Sequence, residues 1–175
     1  MRKGLSLLEM LFVIAIMCIL VALAATQRGL FLTKSKDEVI RSKLLRAIDV
    51  ARSESALLGV NISLCPSKDH MNCGGEWNDG QVVFIDSDLS GTINGKEHVL
   101  YVFDAHSRDG SLYWRSALHR NYLMFSPAGM SYGEDGTFWY CSGKRKLAWA
   151  IKVNQAGRAR VVYPDYNGKI DSLGC

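Results

Sequence analysis

Leu5–Ala25 is a run of 21 residues with only two polar side chains, Ser6 and Glu9, and it follows the short basic start Met1-Arg2-Lys3-Gly4. As a helix rising 1.5 Å per residue it would extend about 31 Å, the thickness of a bilayer core. The order of features excludes an ordinary secretory signal. Such a signal places its small-residue cleavage site after the apolar core, so that the core is lost from the mature chain. Here the small residue, Gly4, comes first, and a cut after it would leave the apolar run in place. A bare membrane anchor accounts for the length but not for Glu9, because a carboxylate inside a membrane helix costs about 2.5–3.5 kcal/mol.

Beyond the apolar run about 150 residues remain, enough for one compact domain. The helical pattern continues. Ile40, Leu44, Ile48, Ala51 and Ser55 recur at helical spacing, Arg41, Lys43, Arg46, Asp49 and Arg52 fall mostly on other faces, and Gly59 is a natural stop. The expectation is one helix over Leu5–Leu58, about 80 Å long, apolar all round in its first half and amphipathic in its second. After it come short β-branched and aromatic runs: Val60–Leu64, Gln81–Ile85, His98–Phe103, Ser111–Arg115, Tyr122–Phe125, Thr137–Cys141, Leu147–Val153 and Arg158–Tyr163. Gly, Asn, Asp or Pro clusters separate most of them. Leu147, Trp149, Ile151 and Val153 alternate with Ala148, Ala150 and Lys152, the pattern of a half-buried strand. The fold class is α+β: a long N-terminal helix packed on an antiparallel sheet or a two-sheet sandwich.

Gly4 followed by Leu5-Ser6-Leu7-Leu8-Glu9 and an unbroken apolar run resembles the class III leader of type IV prepilins and type II secretion pseudopilins. The resemblance implies cleavage between Gly4 and Leu5 by the prepilin peptidase, methylation of the new Leu5 amine, and pairing of Glu9 with the N-terminal amine of a neighbouring filament subunit. That pairing would offset the desolvation cost of the carboxylate. Many family members carry Phe or Met where this chain has Leu5. Ile62-Ser63-Leu64-Cys65, Cys73, Trp77 and Gly80–Asp86 resemble the middle of the GspH/FimT branch of minor pilins. Phe125-Ser126-Pro127-Ala128-Gly129, Gly136–Cys141 and Gly157-Arg158-Ala159-Arg160 extend the likeness along nearly the whole chain. It is strongest to FimT-type minor pilins, in which a Gly-Arg-x-Arg motif is associated with binding DNA during natural transformation. The implied organisation is a leader over 1–4, an apolar membrane or filament-core helix half over 5–27, and a globular domain over 28–175. The implied location is the inner membrane, single-pass, with the globular domain in the periplasm, and the pilus or cell surface after assembly.

Export to an oxidising compartment would let Cys65, Cys73, Cys141 and Cys175 pair. Four cysteines allow three connectivities. Cys65–Cys73 and Cys141–Cys175 are favoured, since the first pair is local and the second ties down the final residue. In the chain-entropy account these loops contribute about 2.6 and 3.8 kcal/mol. Cys18 reads as a packing residue of the apolar run. The Cys65/Cys73 spacing is wide for zinc, and His70, His98, His106 and His119 show no ligand-like spacing.

Asp86-Ser87-Asp88-Leu89-Ser90-Gly91-Thr92-Ile93-Asn94-Gly95-Lys96-Glu97 fits the EF-hand loop pattern, with oxygen side chains at positions 1, 3, 5, 7, 9 and 12 and glycine at 6. Strand-like runs flank it where an EF-hand needs helices. It therefore reads as a polar hairpin loop rich in turn formers, with a non-EF calcium loop as the alternative. No Gly-x-Ser-x-Gly elbow, Walker loop or Gly-x-Gly-x-x-Gly is present, and the carboxylates lie in loops without a paired-acid signature. Neither an enzyme nor a cofactor is expected.

The formal net charge of +4 conceals a polarity. Glu76–Asp109 holds seven acids and two bases, while Ser142–Cys175 holds seven bases and two acids. Such asymmetry suggests an anionic partner for the C-terminal part. Arg158 and Arg160, two apart on a strand edge, would point to one face about 6.6–6.8 Å apart, near two axial base steps of one DNA strand. Arginine clamps phosphate oxygens with two parallel donors. Lys144 and Lys146 share the same spacing, Lys152 adds a charge on its own strand, and Tyr163 and Tyr166 would flank the surface. Nothing resembles a helix for major-groove reading, so sequence-independent contact with DNA is expected. The competing use of the arginines is ion pairing with Asp165, Asp171 or the C-terminal carboxylate. The competing function is a purely structural subunit, a minor pilin priming pilus assembly or a GspH-like pseudopilin of type II secretion, with other pilins as partners and no DNA.

Overall fold

A computed structural model describes residues 7–26, 28–104, 110–131, 133–143, 146–165, 170 and 173–175, with only the backbone described for 23–26 and 28–35. The chain divides into two compact units, Met1–Glu38 and Val39–Cys175. Helix α1 is Leu7–Thr26 and helix α2 is Arg28–Leu58. Gln27, on which the expected single helix depends, lies outside the described residues. Every described side chain of α1, from Leu7 to Ala22, is exposed. An apolar helix whose described side chains are all exposed needs apolar cover from a membrane or a partner. No described helix is by itself long and apolar enough to cross a membrane, but described side chains stop at Ala22 and the sequence stays apolar to Ala25.

In the second unit α2 buries Ile40, Leu44, Ala47, Ile48, Ala51 and Ser55, the stripe that helical spacing marks out. Gly59 ends the helix with φ of 68°, its N–H donating to Ser55 O at 3.0 Å, which satisfies one of the free terminal carbonyls. Eight strands follow: β1 Ile62–Pro66, β2 Gln81–Ile85, β3 Val99–Phe103, β4 Gly110–Ser116, β5 Leu123–Phe125, β6 Gly136–Ser142, β7 Lys146–Val153 and β8 Ala159–Val162. They form two antiparallel sheets, ordered β3-β2-β1-β5 and β4-β6-β7-β8. The α+β class and the two-sheet arrangement are as the sequence patterns indicated.

One core joins these layers. It combines the α2 stripe with Ile62, Leu64, Val83, Leu123 and Phe125 of the first sheet and Leu112, Phe138, Tyr140, Trp149, Ile151 and Val153 of the second. Alternation then assigns the other side of each sheet. On the first sheet Cys65, Val82 and Phe84 form a small second cluster with Cys73, Ile93, Val99 and Tyr122. Cys65 is bonded to Cys73, and Cys141 to Cys175. Within the first loop Asp69 accepts from Asn72 Nδ2 and from the backbone N–H groups of Met71 and Asn72 at 2.8–2.9 Å, bonds that hold its carboxyl well below the usual range.

The Asp86–Glu97 loop joins β2 and β3, so strands flank it. Its carboxylates are spent on the loop and on neighbouring β1. Asp86 accepts from Ser63 Oγ at 2.6 Å and from the N–H groups of Ser90 and Gly91 at 3.1 and 2.9 Å. Asp88 accepts from Asn94 Nδ2 at 2.8 Å, and Glu97 from Asn94 N at 2.7 Å. These bonds support the turn-forming reading of the loop.

Candidate functional site

The outer face of the second sheet gathers the basic residues. Its inner face is taken by Leu112 and Trp114, Phe138 and Tyr140, Trp149, Ile151 and Val153, and Ala159 and Val161. The intervening residues therefore point outward. Pairing aligns Arg115 with Thr137, Thr137 with Lys152, and Lys152 with Arg160. These four residues form one row across four strands, about 14 Å long at 4.7–4.9 Å per strand. The next row is Tyr113, Trp139, Ala150 and Val162. Like charges on directly opposed residues, as at Lys152 and Arg160, are destabilising in a sheet. A shallow cleft of about 500 Å³ opens beside the basic row, lined by Asp135–Thr137 and Lys152–Ala156.

Arg158 precedes β8 and is exposed. Its N–H donates to Asn154 Oδ1 at 3.0 Å. The turn before it explains the glycine of Gly157-Arg158-Ala159-Arg160. Gly157 has φ of 71°, and a Cβ there would lie 2.2 Å from Gly129 O. Its N–H donates to Asn154 O at 2.8 Å, and Ser131 N donates to Gln155 O at 3.0 Å. Arg52 Nε, from α2, donates to Gly129 O at 3.0 Å. The start of β8 is thus set by a close backbone contact with the Ser126–Met130 turn, itself fastened to α2. Neither Arg158 nor Arg160 makes an ion pair with a described residue.

The other expected residues are not all brought together. Lys144 and Tyr166 lie outside the described residues. The register of β6 and β7 shifts between Tyr140 and Cys141. This bulge puts Leu147 with Ala150 in an outer cluster and turns Ala148 toward the core. Alternation from Leu147 then sets Lys146 on the face opposite Lys152. Tyr163 is engaged by Arg41, whose Nη1 donates to the phenol oxygen and whose guanidinium lies 5.6 Å from the ring centroid. Sequence reading missed Arg115, Tyr113 and Trp139. The two rings are stacked, with centroids 5.3 Å apart and 23° between planes, and the Arg115 guanidinium sits 5.8 Å from the Trp139 ring. Tyr113 and Arg115 show the same i, i+2 relation that singled out Arg158 and Arg160, but only cross-strand register brings them to the row.

The C-terminal tail covers the far end of this face. Ile170 and Leu173 pack with Leu147 and Ala150 against Trp139 and Val162. Trp139 Nε1 donates to Gly174 O at 3.2 Å, and Cys175 is anchored by its bond to Cys141. At the other end of the chain, Glu9 lies in the first turn of α1 and is exposed. Gly4 and Leu5 lie outside the described residues. Among the described residues no cluster of three or more His, Cys, Asp or Glu is arranged to hold a metal.

The family described as type II transport protein GspH matches residues 42–157, from the second turn of the α2 stripe to Gly157. The chain belongs to the GspH family. Residues 1–25 match the prokaryotic N-terminal methylation motif. Two crystal forms of the type IV minor pilin FimU of Pseudomonas aeruginosa, strain PAO1, share the fold. One has 20% identity and a TM-score of 0.56, covering 71% of this chain and 87% of that one; the other has 21% and 0.54, covering 71% and 91%. Comparison with curated proteins found no match. The family and the N-terminal motif together imply a pilin-like, membrane-anchored protein, processed by prepilin peptidase and associated with other pilins.

Proposed function

We propose that this GspH-family protein binds DNA without sequence preference through the outer face of its second sheet, and serves as a minor pilin in DNA uptake during natural transformation. The observation that carries the reading is the cross-strand row of Arg115, Lys152 and Arg160, with Arg158 at its edge. Lys152 and Arg160 are directly opposed on this face, a like-charge pairing that disfavours the sheet. An extended row of this kind suits a chain of phosphates, with Arg158 and Arg160 as the principal contacts and Lys152 beside them. Lys144 is a weaker candidate on sequence alone, and Lys146, on the face opposite Lys152, is not counted among the contacts. Nothing in the row selects a base, so affinity arises from phosphate contacts and falls steeply with salt.

The reading includes the N-terminus. Residues 1–4 are the leader, cut between Gly4 and Leu5; 5–27 anchor the chain in the inner membrane and then in the filament core; 28–175 face the periplasm and later the cell surface. Glu9 pairs with the N-terminal amine of a neighbouring subunit. The mass of the membrane-extracted protein tests the cleavage, and a chain still beginning at Met1 contradicts it.

Fluorescence anisotropy of labelled DNA with the full-length chain in neutral detergent, across a salt series, tests the DNA function. Charge-assisted contacts are worth at most about 1.5–3 kcal/mol each and less when exposed, so Arg158→Gln/Arg160→Gln weakens binding about tenfold or more. Neutralising about four phosphates gives a slope of log K on log salt near −3.6 on duplex. Equal binding by wild type and double variant removes this site. If neither binds at low salt, the structural-subunit reading replaces this one.

A further inference from the structure

The aromatic pair beside the basic row has no part in a purely electrostatic surface. Tyr113 lies on β4, an edge strand of its sheet, and is 42% exposed. Its ring is backed by Trp139 in a stacked arrangement. Trp139 is itself fixed by its Nε1 bond to Gly174 O and by contact with Ile170 and Leu173. Because the neighbouring Cys175 is bonded to Cys141, the disulfide at the end of the chain helps hold the platform. Arg115 lies two residues from Tyr113 and is drawn over Trp139 by the attraction of a cation for a ring face. The rings are therefore ordered before any ligand arrives, which lowers the entropy lost on binding.

We infer that this surface takes single-stranded DNA in preference to duplex, one base stacking on Tyr113 while the adjoining phosphates lie along Arg115, Lys152 and Arg160. The inference rests on the proposed DNA function and adds the form of the ligand. In a duplex the base faces are stacked on one another, and a ring standing on a sheet meets only backbone. In a single strand the bases are free to turn toward an aromatic side chain, and every base has a face to offer, so stacking adds affinity without adding sequence preference. Stacked aromatics next to a row of cations are the combination that such a ligand needs. The Tyr113 hydroxyl makes no hydrogen bond with a described residue, so the ring rather than the phenol is the group assigned the role.

The test compares labelled oligo-dT with a duplex of the same length, by anisotropy, using the full-length chain in neutral detergent. Wild type binds oligo-dT more tightly than duplex, and oligo-dT alone quenches tryptophan fluorescence. Tyr113→Leu weakens oligo-dT binding about fivefold or more and leaves duplex binding unchanged, which also shows that the variant is folded. Tyr113→Phe keeps wild-type affinity for both. Wild-type binding of duplex as tightly as oligo-dT, or oligo-dT binding unaffected by Tyr113→Leu, overturns the inference and leaves the DNA function standing. If Tyr113→Leu is unfolded, the wild-type preference and the quenching decide by themselves, and absence of either overturns the inference. Failure of wild type to bind either form overturns both.

Discussion

Gly157→Ala is the substitution whose cost the structure defines most closely. Two contributions are separable. Placing an L-residue at φ of 71° costs about 1–2 kcal/mol, because Cβ crowds its own backbone. The added methyl would also sit 2.2 Å from Gly129 O. That oxygen cannot swing away like the end of a side chain. It belongs to a turn closed by Gly129 N donating to Ser126 O at 2.7 Å, and it accepts from Arg52 Nε at 3.0 Å. Relief requires the two turns to separate, at the expense of the Arg52 bond, the Gly157–Asn154 bond or both, each worth about 1 kcal/mol net. The total is about 2–4 kcal/mol. Gly133→Ala is the control. Gly133 has φ of 76° and nothing within 4 Å of its hypothetical Cβ, so it bears the first contribution alone. Urea unfolding of both variants in the full-length chain, followed by tryptophan fluorescence, should show Gly157→Ala less stable than Gly133→Ala by about 1–2 kcal/mol at equal m-value. Equal midpoints would mean that the contact with Gly129 does not hold the start of β8, and the account of the glycine in Gly157-Arg158-Ala159-Arg160 would fail.

Two further outcomes follow from buried groups and from the tail. Glu134 is fully buried and pairs with Arg120 Nη1 at 3.0 Å; burial raises its carboxyl pKa more than Arg120 and Ser116 hold it down. The folded state therefore binds more protons than the unfolded state from about pH 4, the ordinary carboxyl range, up to the raised value, and stability falls as pH rises through that window. Glu134→Gln should flatten the decline measured by urea unfolding at stepped pH, and an unchanged slope would assign it elsewhere, Asp86 being the other carboxyl raised by burial. Cys141→Ser/Cys175→Ser should cost about 3.8 kcal/mol in the chain-entropy account and expose the tail after Asp165 to protease, whereas quantitative alkylation of Cys141 in unreduced wild type would refute the bond.

How much of this was legible in the sequence depends on the range of the interaction. The α2 stripe and the β runs are local patterns, and period 3.6 and period 2 place them within a residue or two of their observed limits. The disulfides were open among three connectivities and were favoured on proximity along the chain, a criterion that the loop structure satisfies. The basic surface was only half legible. Arg158 and Arg160 stand out because they are two residues apart in sequence, and Lys152 because its strand alternates cleanly. Lys146 was grouped with them by its i, i+2 spacing from Lys144, and the bulge at Tyr140 and Cys141 separates it from Lys152: one extra residue reverses the face of everything before it. Arg115 was missed for the opposite reason. It belongs to the row only through two successive strand pairings, and no local pattern encodes them.

The arrangement also shows why a surface of this kind can be built on the second sheet and not on the first. Both sheets give their inner face to the core shared with α2. The outer face of the first is closed by its own loops, with Cys65, Val82 and Phe84 covered by Ile93, Val99 and Tyr122, and the Asp86 carboxylate buried beneath the β2–β3 connection. Among the described residues, the outer face of the second is closed at one end, where the tail packs on Leu147 and Ala150. What remains open is the end carrying Arg115, Lys152 and Arg160, and the two constraints that define it come from opposite directions. Arg52 and Gly129 fix the entry to β8 through Gly157, and Cys175 fixes the tail beside Trp139. The cations thus stand on strands whose positions are set elsewhere, so replacing Arg158 and Arg160 should alter binding without altering the fold, whereas replacing Gly157 should alter both.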